Sequence, residues 1–311
     1  MGRRVFIYLL IFFLIMAGFR SKLKKSFLHI FKEVTTTSIQ KRLGYPENTR
    51  LLIIHADDLG LSSSENEATF EAFEKGMVNS GSVMIPCNYV KQVAEYGKAH
   101  PLADIGIHLT LTNEWDTYKW GPVTSPDEVK SLVNSNGYFR PDKTGMVKAA
   151  RSTDIEKELR AQIDSALRAG IDVTHLDSHM FVLFSGKVLR VCYRLAKEYK
   201  LPLLLTNDLP VRYTLPRNAI VVDNLYYARA KDYKAGIANY YRQSLRSMKP
   251  GLNCIIVHLA YDNDEMKNLT GSQTIYGSGW RQTDFDFFTS DECRRLIDDN
   301  NIKLVTWREI R

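Results

Sequence analysis

Cysteine is scarce in this sequence, and nucleotide-binding motifs are absent. The 311 residues hold four cysteines, and no two of them are spaced Cys-x-x-Cys. A chain of this length does not need disulfides, so we expect Cys87, Cys192, Cys254 and Cys293 to be small buried side chains. The sequence also lacks the patterns GxGxxG and GxxxxGK[S/T], which argues against dinucleotide binding and P-loop phosphate binding.

The body of the chain carries almost no net charge, although the formal net charge of the whole chain is +7. Residues 1–42 hold nine Lys or Arg and a single acidic residue, Glu33, so this leader carries +8. Residues 43–311 therefore carry −1. A basic leader on a near-neutral body does not make a basic binding face, and we expect no nucleic-acid partner.

The leader has a long apolar run, but one too short for an ordinary membrane-spanning helix. Val5–Phe19 is a stretch of 15 residues without a charge, preceded by Arg3 and Arg4, whereas a spanning helix needs about 20 residues. A short positive segment before an apolar one is typical of an export signal. We predict a signal peptide or signal anchor over residues 1–20 and a basic linker over 21–48. The predicted location is the periplasm or cell envelope, with membrane contact through the N-terminal segment.

Strand-like and helix-like segments alternate from residue 51 onward. We predict strands at 51–56, 82–86, 105–111, 173–176, 201–205, 219–222, 254–259 and 302–307, with helices between several of them. Such alternation indicates a parallel sheet. Seven or eight strands in about 260 residues favour a distorted or incomplete (β/α) barrel over an open sheet. We assign residues 49–311 to this catalytic domain, with long loops at 112–150 and 271–284.

Polar side chains cluster where the predicted strands end. They are Asp57, Asp58, His108, His175, Asp177, His179 and His258. All strands of such a barrel point the same way, so these ends meet at one rim, where catalytic groups lie. One Asp with two His is a common ligand set for a divalent ion that keeps open positions for water and substrate.

Each of these residues also has an ordinary interpretation. Asp57 and Asp58 could be an acidic pair at a helix N-terminus, although two adjacent carboxylates after a buried strand repel each other unless a cation or proton intervenes. His108 alone would be read as a hydrogen-bonded core histidine. His175 and His179, four positions apart, could be a helical pair, although the strand before them favours a strand end that runs into a loop. His258 lies in an apolar stretch, where an unpartnered imidazole is costly, which favours a ligand or acid role.

Three segments carry a family resemblance: HADDLGLS (55–62), GIHLTL (106–111) and THLDSH (174–179). Their order and strand context are similar to the signature segments of the YdjC-like carbohydrate deacetylases, which include chitooligosaccharide deacetylases. The resemblance extends from about residue 51 to the C-terminus. It implies a metal-dependent hydrolase on a distorted barrel that removes acetyl groups from N-acetylated sugars or oligosaccharides.

The resemblance also implies roles for individual residues. Asp58, His108 and His179 match the ligands of one divalent ion, either Zn²⁺ or Mg²⁺. Asp57 matches the general base, and His258, as imidazolium, the general acid. We expect His175 and Asp177 to orient the ligands.

Aromatic residues in or beside the two long loops are candidates for stacking on sugar rings: Trp115, Trp120, Tyr261, Tyr276 and Trp280. Their ordinary interpretation is loop anchoring or core packing. Leu59, Met180 and Leu259 depart from residues frequent in the family, which suggests a different pocket. Two other functions remain open: a non-catalytic carbohydrate-binding envelope protein on the same fold, and a metal-dependent sugar isomerase or phosphodiesterase.

Overall fold

The computed structural model of the protein describes residues 38–207 and 220–311. The predicted export segment 1–20 and the first part of the predicted linker lie outside these residues. In the described part of the chain, no helix combines the length and apolar character needed to cross a membrane.

Within those two ranges the strands are β1 Arg50–Leu59, β2 Ser80–Val83, β3 Ile105–Leu109, β4 Val173–Ser178, β5 Asn224–Tyr227, β6 Gly251–Val257 and β7 Ile302–Leu304. They pair in the order β4-β3-β2-β1-β6-β5, and every pair is parallel. β7 pairs with Arg50–Leu52, on the side of β1 where β2 pairs farther along. The predicted α/β fold with a parallel sheet is confirmed.

Two isolated bridges continue the sheet beyond β4. Leu176 pairs with Leu203 and Thr206 pairs with Val222, both in parallel orientation. Val222 precedes β5 by two residues, and β5 pairs with β6, so backbone pairing leads from β4 back to β6. Single bridges thus complete one side of a distorted barrel. The strands predicted at 201–205 and 219–222 are reduced to these bridges, and Ala219 lies outside the described residues.

Helices flank the sheet. They are α1 Ile39–Arg42, α2 Ser63–Lys75, α3 Val90–Ala99, α4 Lys143–Ala149, α5 Ser152–Arg168, α6 Gly186–Tyr199, α7 Ala230–Ala235, α8 Ile237–Arg246, α9 Asp264–Thr270, α10 Ser278–Phe288, α11 Asp291–Asp299 and α12 Trp307–Ile310. The first and last of the described helices, α1 and α12, contribute to the cluster on the inner face of the sheet. Short 3₁₀ segments occupy Pro126–Glu128 and His179–Phe184.

Both predicted long loops are wrong in their last part: the loop at 112–150 contains α4, and the loop at 271–284 ends in a helix. Residues 271–284 include the first part of α10, whose buried residues are Trp280, Arg281, Asp284, Phe287 and Phe288. Their spacing of one, three, three and one places them along one helical face. The polar residues between them face outward, which is why this segment resembled a loop in the sequence. The strand predicted at 302–307 also ends early, at Leu304, because Trp307 begins α12 behind a capping box formed by Thr306 and Glu309.

Two apolar clusters lie on opposite faces of β1. Leu52 and Ile54 pack with helix residues such as Phe288, whereas Leu51 and Ile53 pack on the inner face in a cluster that includes Trp307. This two-residue alternation is what a strand buried on both faces requires. It also places His55 and Asp57 on the inner face, toward the carboxyl end of the strand.

The end of the predicted linker packs against the barrel. Ile39 belongs to the inner cluster, and the side-chain amide of buried Gln40 donates to the carbonyl of Glu47. The domain boundary at residue 49 stays a prediction, but ordered structure begins before it.

Candidate active site and cation centre

The five residues predicted as ligands, base and acid meet at one end of the barrel. Asp57 and Asp58 lie near the end of β1, His108 lies in β3, His179 follows β4 and His258 follows β6. Because parallel strands place their carboxyl ends at one edge, four separate stretches of chain contribute to one cluster. The structure therefore brings together all five of these side chains.

Asp58 reaches this cluster through an unusual backbone conformation. Strict alternation along β1 would send the side chains of Asp57 and Asp58 to opposite faces. Asp58 instead adopts φ 68°, in the left-handed region, and the pairing of β1 with β2 shifts register between Ala56 and Leu59. A left-handed non-glycine residue is costly, and such strain concentrates at functional sites. Here it lets two consecutive carboxylates face the same histidines.

The three predicted ligands form a compact donor set. Asp58 Oδ1 lies 3.4 Å from His108 Nε2 and 3.2 Å from His179 Nδ1. All three residues are buried, and neither Asp58 Oδ1 nor His179 Nδ1 has a hydrogen-bond partner. Their spacing is close to that of ligands around a tetrahedral ion with bonds of about 2.0–2.1 Å. The residues present therefore fit a divalent cation, and they form one of the groups in the described residues that could hold one.

The electrostatics of the set also call for positive charge. Burial alone would lower the pKa of His179, but Glu114 and Asp58 raise it to about 9. Burial alone would raise the pKa of Asp58, but the adjacent rings of His108 and His179 and the charge of Arg281 hold it well below its usual range. Without a metal the site takes up protons in its place, so cation binding should release them.

Each ligand is held by one charged partner on its far side. His108 Nδ1 lies 3.0 Å from Asp177 Oδ2, which leaves Nε2 facing Asp58. His179 Nε2 lies 2.9 Å from Glu114 Oε2, which leaves Nδ1 facing the same oxygen. This carboxylate–histidine arrangement fixes the ring orientation of a metal ligand.

The third ligand is held by a cation. Asp58 Oδ2 accepts a hydrogen bond of 2.9 Å from Arg281 Nη2. Glu114 and Arg281 were both missed in the sequence. Glu114 lies three residues beyond GIHLTL, where its position in the chain gave no signal, and Arg281 lies in the segment wrongly predicted as a loop.

Asp177 lies beside His108, one of the predicted ligands, whereas His175 lies away from them. Asp177 Oδ2 contacts His108, Ser82 Oγ at 3.0 Å and His55 Nε2 at 3.1 Å. Burial alone would raise the pKa of Asp177, but His108 and His55 lower it. His175 instead stacks on Trp307, with ring centres 5.1 Å apart, and hydrogen-bonds Thr174.

Position along β4 explains the error for His175. It lies two residues before Asp177, which corresponds to about 6–7 Å along a strand, and so sits deeper in the barrel. Gly106 lies directly against its ring: a Cβ atom added there would come within 2.5 Å of His175 Nε2. His175 packs the interior and does not touch any of the three ligands.

Asp57 lies beside the donor set and makes longer contacts. Its Oδ2 is 3.7 Å from His108 Nε2 and 3.9 Å from His258 Nε2, and its Oδ1 is 3.3 Å from His55 Nε2. Burial raises the pKa of Asp57 to about 7, although His108 and His55 oppose the shift. A carboxylate that gains and loses a proton near neutrality suits a general base.

His258 is positioned as predicted, but its charge differs from the expectation. Its Nε2 lies 3.9 Å from Oδ2 of both Asp57 and Asp58, and its backbone N–H donates to Asp284 Oδ2 at 3.0 Å. Burial lowers the pKa of His258 to about 3, only partly offset by Asp58. A pKa this low favours a neutral ring, whereas the proposed chemistry called for an imidazolium.

The three tryptophans predicted as exposed sugar platforms are buried. Trp115, Trp120 and Trp280 are 3%, 3% and 1% exposed, so the core-packing interpretation is the one that the structure supports. Of the two tyrosines, Tyr261 binds Glu71 through its hydroxyl at 2.7 Å. Tyr276 is partly exposed and lies against His258, with ring centres 5.0 Å apart, so it borders the site.

Together these features define an α/β barrel-like protein with a candidate His₂Asp cation site at the carboxyl edge of its sheet and a further buried carboxylate, Asp57, beside it. The model of the family described as "YdjC-like protein" matches residues 51–299, and the chain belongs to that family. The family resemblance noted in the sequence is confirmed.

Relatives and a solved structure match over most of the domain. A protein named carbohydrate deacetylase from Thermoanaerobacter pseudethanolicus is 29% identical over 83% of this chain and 98% of its own length. One of the same name from Brevibacillus brevis is also 29% identical, over 83% of this chain and 99% of its length. A solved structure from Enterococcus faecalis V583, whose description suggests cellobiose-phosphate cleavage, matches with TM-score 0.71 and 26% identity. That match covers 84% of this chain and 99% of the other.

Proposed function

We propose that this protein is a metal-dependent carbohydrate deacetylase, which hydrolyses the acetamide of an N-acetylated amino sugar or oligosaccharide to release acetate. One observation carries the proposal. Asp58 Oδ1 lies 3.4 Å from His108 Nε2 and 3.2 Å from His179 Nδ1. All three side chains are buried, and two of these three atoms, Asp58 Oδ1 and His179 Nδ1, have no hydrogen-bond partner. The names of the curated relatives support the same reaction.

Amide hydrolysis needs a nucleophile stronger than neutral water. Asp58, His108 and His179 would hold one divalent ion, which when bound lowers the pKa of a coordinated water and polarises an amide carbonyl. The two imidazole nitrogens suit Zn²⁺, and Mg²⁺ is the alternative that the proposal retains.

Asp57 would move the proton, and His258 would donate a hydrogen bond. Asp57, with its pKa near 7, would accept the proton of the attacking water when it is ionised, a contribution of about 10²–10⁴-fold for a well-placed base. The same carboxyl group would then pass this proton to the nitrogen of the leaving amine as the C–N bond breaks. His258 faces the same space as a neutral ring, so it acts through a hydrogen bond to the oxyanion or leaving amine without bringing a charge of its own.

The test joins metal content to product analysis. Purified protein is assayed for Zn and Mg by elemental analysis, then incubated with a panel of N-acetylated saccharides with and without a chelator. We expect bound divalent metal and acetate release that the chelator abolishes and added metal restores. Sugar binding without acetate would instead favour the non-catalytic envelope protein, and a metal-dependent product other than acetate would favour an isomerase or phosphodiesterase.

We also propose that the protein is exported to the periplasm or cell envelope. The support is the charge-free run Val5–Phe19 preceded by Arg3 and Arg4. Cell fractionation of the full chain tests this, with deletion of residues 1–20 as the comparison. Equal recovery of both forms in the cytoplasm would contradict export.

A further inference from the structure

A buried ion-pair network lies directly behind Asp58. Arg281, on α10, is 2% exposed and Glu65, on α2, is fully buried. Arg281 Nη1 lies 2.5 Å from both carboxylate oxygens of Glu65. Arg281 Nη2 donates to Asp58 Oδ2 at 2.9 Å, and its Nε donates to the carbonyl of Tyr276 at 2.9 Å.

Local structure fixes both partners. Glu65 lies in the first turn of α2, and its backbone N–H donates to the N-cap Ser62 at 3.0 Å. Tyr276, just before α10, adopts φ 56°, in the left-handed region, and its carbonyl receives the Arg281 Nε hydrogen bond. With three nitrogens bonded to three different residues, the guanidinium plane has one orientation.

This orientation divides the two oxygens of Asp58. Arg281 occupies Oδ2, whereas Oδ1 faces His108 Nε2 and His179 Nδ1. A carboxylate restrained in this way offers a cation one oxygen, and a site with three single-bond ligands keeps positions for water and substrate. A freely rotating carboxylate could bind the cation through both oxygens, and the second oxygen would then occupy a coordination position that water or substrate needs.

We propose that Arg281, held by Glu65, is a positioning residue that restricts Asp58 to single-oxygen binding of the cation and so preserves the open coordination position. This inference rests on the proposed metal-dependent function. Among the residues that the structure describes, Arg281 makes no hydrogen bond or ion pair with His108, His179 or His258, so its link to the proposed ligands runs through Asp58.

The competing interpretation is that Arg281 and Glu65 only tie α10 to α2. Replacing both charges together separates the two roles. Arg281→Met/Glu65→Leu leaves the net charge of the network unchanged, so its effect on cation binding is less confounded by charge than that of either single replacement. Apolar replacement of a whole buried ion pair is frequently neutral for stability, unlike removal of one partner.

A second ion pair provides the matched control. Arg242 on α8 contacts Glu292 on α11 with both Nε and Nη2, at 2.6 and 2.8 Å. It ties two helices together as Arg281 and Glu65 do, and it touches none of the proposed ligands. Arg242→Met/Glu292→Leu therefore reports what the loss of a helix–helix tie does by itself.

The experiment measures Zn²⁺ affinity by chelator competition, the visible spectrum of the Co²⁺-loaded protein, and thermal unfolding of the metal-free protein. We expect Arg281→Met/Glu65→Leu to bind Zn²⁺ about 10–100-fold more weakly, as for other partners that orient ligands. Its Co²⁺ absorption should weaken relative to the wild type, because a second Asp58 oxygen raises the coordination number. The Arg242 control should match the wild type in both.

Affinity within twofold of the wild type, with an unchanged Co²⁺ spectrum, would overturn the inference while leaving the deacetylase proposal intact. A wild-type protein that binds no divalent ion would overturn both. If the double variant does not fold, Arg281→Lys is used instead, because it keeps the positive charge but loses the planar guanidinium that bonds three residues at once. Unchanged Zn²⁺ affinity and an unchanged Co²⁺ spectrum would then overturn the inference. Weaker Zn²⁺ binding with an altered spectrum would support it.

Discussion

The two halves of β1 have the same burial but opposite chemistry. Leu51–Ile54 are fully buried apolar side chains that pack on both faces of the sheet. His55, Asp57 and Asp58 are almost as deeply buried, yet they are polar, and the strand ends in a register shift and a left-handed residue. Regular backbone thus persists where packing alone decides, and it is given up where two carboxylates must face one site.

The largest expected effect comes from breaking the polar half at its ligand. Asp58→Asn keeps a residue type that tolerates the left-handed backbone and removes the negative charge. We expect metal affinity to fall by more than the roughly 10–100-fold seen for partners behind a ligand, and acetate release to fall with it. Metal titration and the acetate assay measure both, and unchanged metal content would contradict the ligand assignment.

Asp57→Asn should separate chemistry from metal binding within the same half. Removal of the proposed base should lower kcat by about 10²–10⁴-fold, while bound metal and sugar affinity stay near wild-type values. Steady-state kinetics alongside elemental analysis provides the measurement. A variant that loses its metal as well would show Asp57 to be a ligand.

Breaking the apolar half should have the converse result. Ile53→Ala leaves a cavity in the inner cluster, and we expect the free energy of unfolding to fall by about 2–5 kcal/mol. The site lies beyond it on the strand, so the folded fraction should keep its specific activity and metal content. Urea unfolding and active-site titration check this, and a large loss of activity per folded molecule would show the halves to be coupled.

The smallest expected effect is a pH-dependent change in Tm at Asp284, a buried carboxylate outside β1 that can be compared with those of its polar half. Asp284 is fully buried, and burial raises its pKa to about 7 against an ordinary value of 3.8. Hydrogen bonds from the backbone N–H of His258 and the hydroxyl of Tyr241 oppose this shift. The stabilising contribution of Asp284 is therefore complete below about pH 3.8 and is lost as the pH rises to about 7. Asp284→Asn does not titrate, so its Tm relative to the wild type should rise between pH 4 and 7.

The exposed Asp286, on the same helix, is the control for this pH series. Asp286→Asn should show no such trend. A flat difference between Asp284→Asn and the wild type across this range would contradict the assigned sign.

The residues that sequence reasoning found are those placed by strand direction. Asp57, Asp58, His108, His179 and His258 could be grouped because the ends of parallel strands share one edge. Residues whose place in the site depends on helix packing could not be found from the sequence in this way. Arg281 and Glu65 are 216 positions apart in the chain, and no local pattern links them.

Smaller errors have equally specific causes. His175 shares a face with Asp177, but the rise of the strand places it below the site, against Trp307. The polar residues of α10 obscure the helical spacing of Trp280 in the sequence, so the pattern predicts a loop there. The charge of His258 depends on its burial, which the apolar sequence around it suggests only in part.

The conformation of Asp58 also constrains how the centre could be redesigned. Its φ of 68° is tolerated by few side chains, and a short polar one such as Asp is among them. Glu carries the same charge, but it would have to adopt this backbone with a longer side chain and without the local hydrogen bonding that eases Asp into it. Exchanging the donor at this position thus means rebuilding the turn that presents it, so the amino acid is selected twice, once for its oxygen and once for its torsion angle.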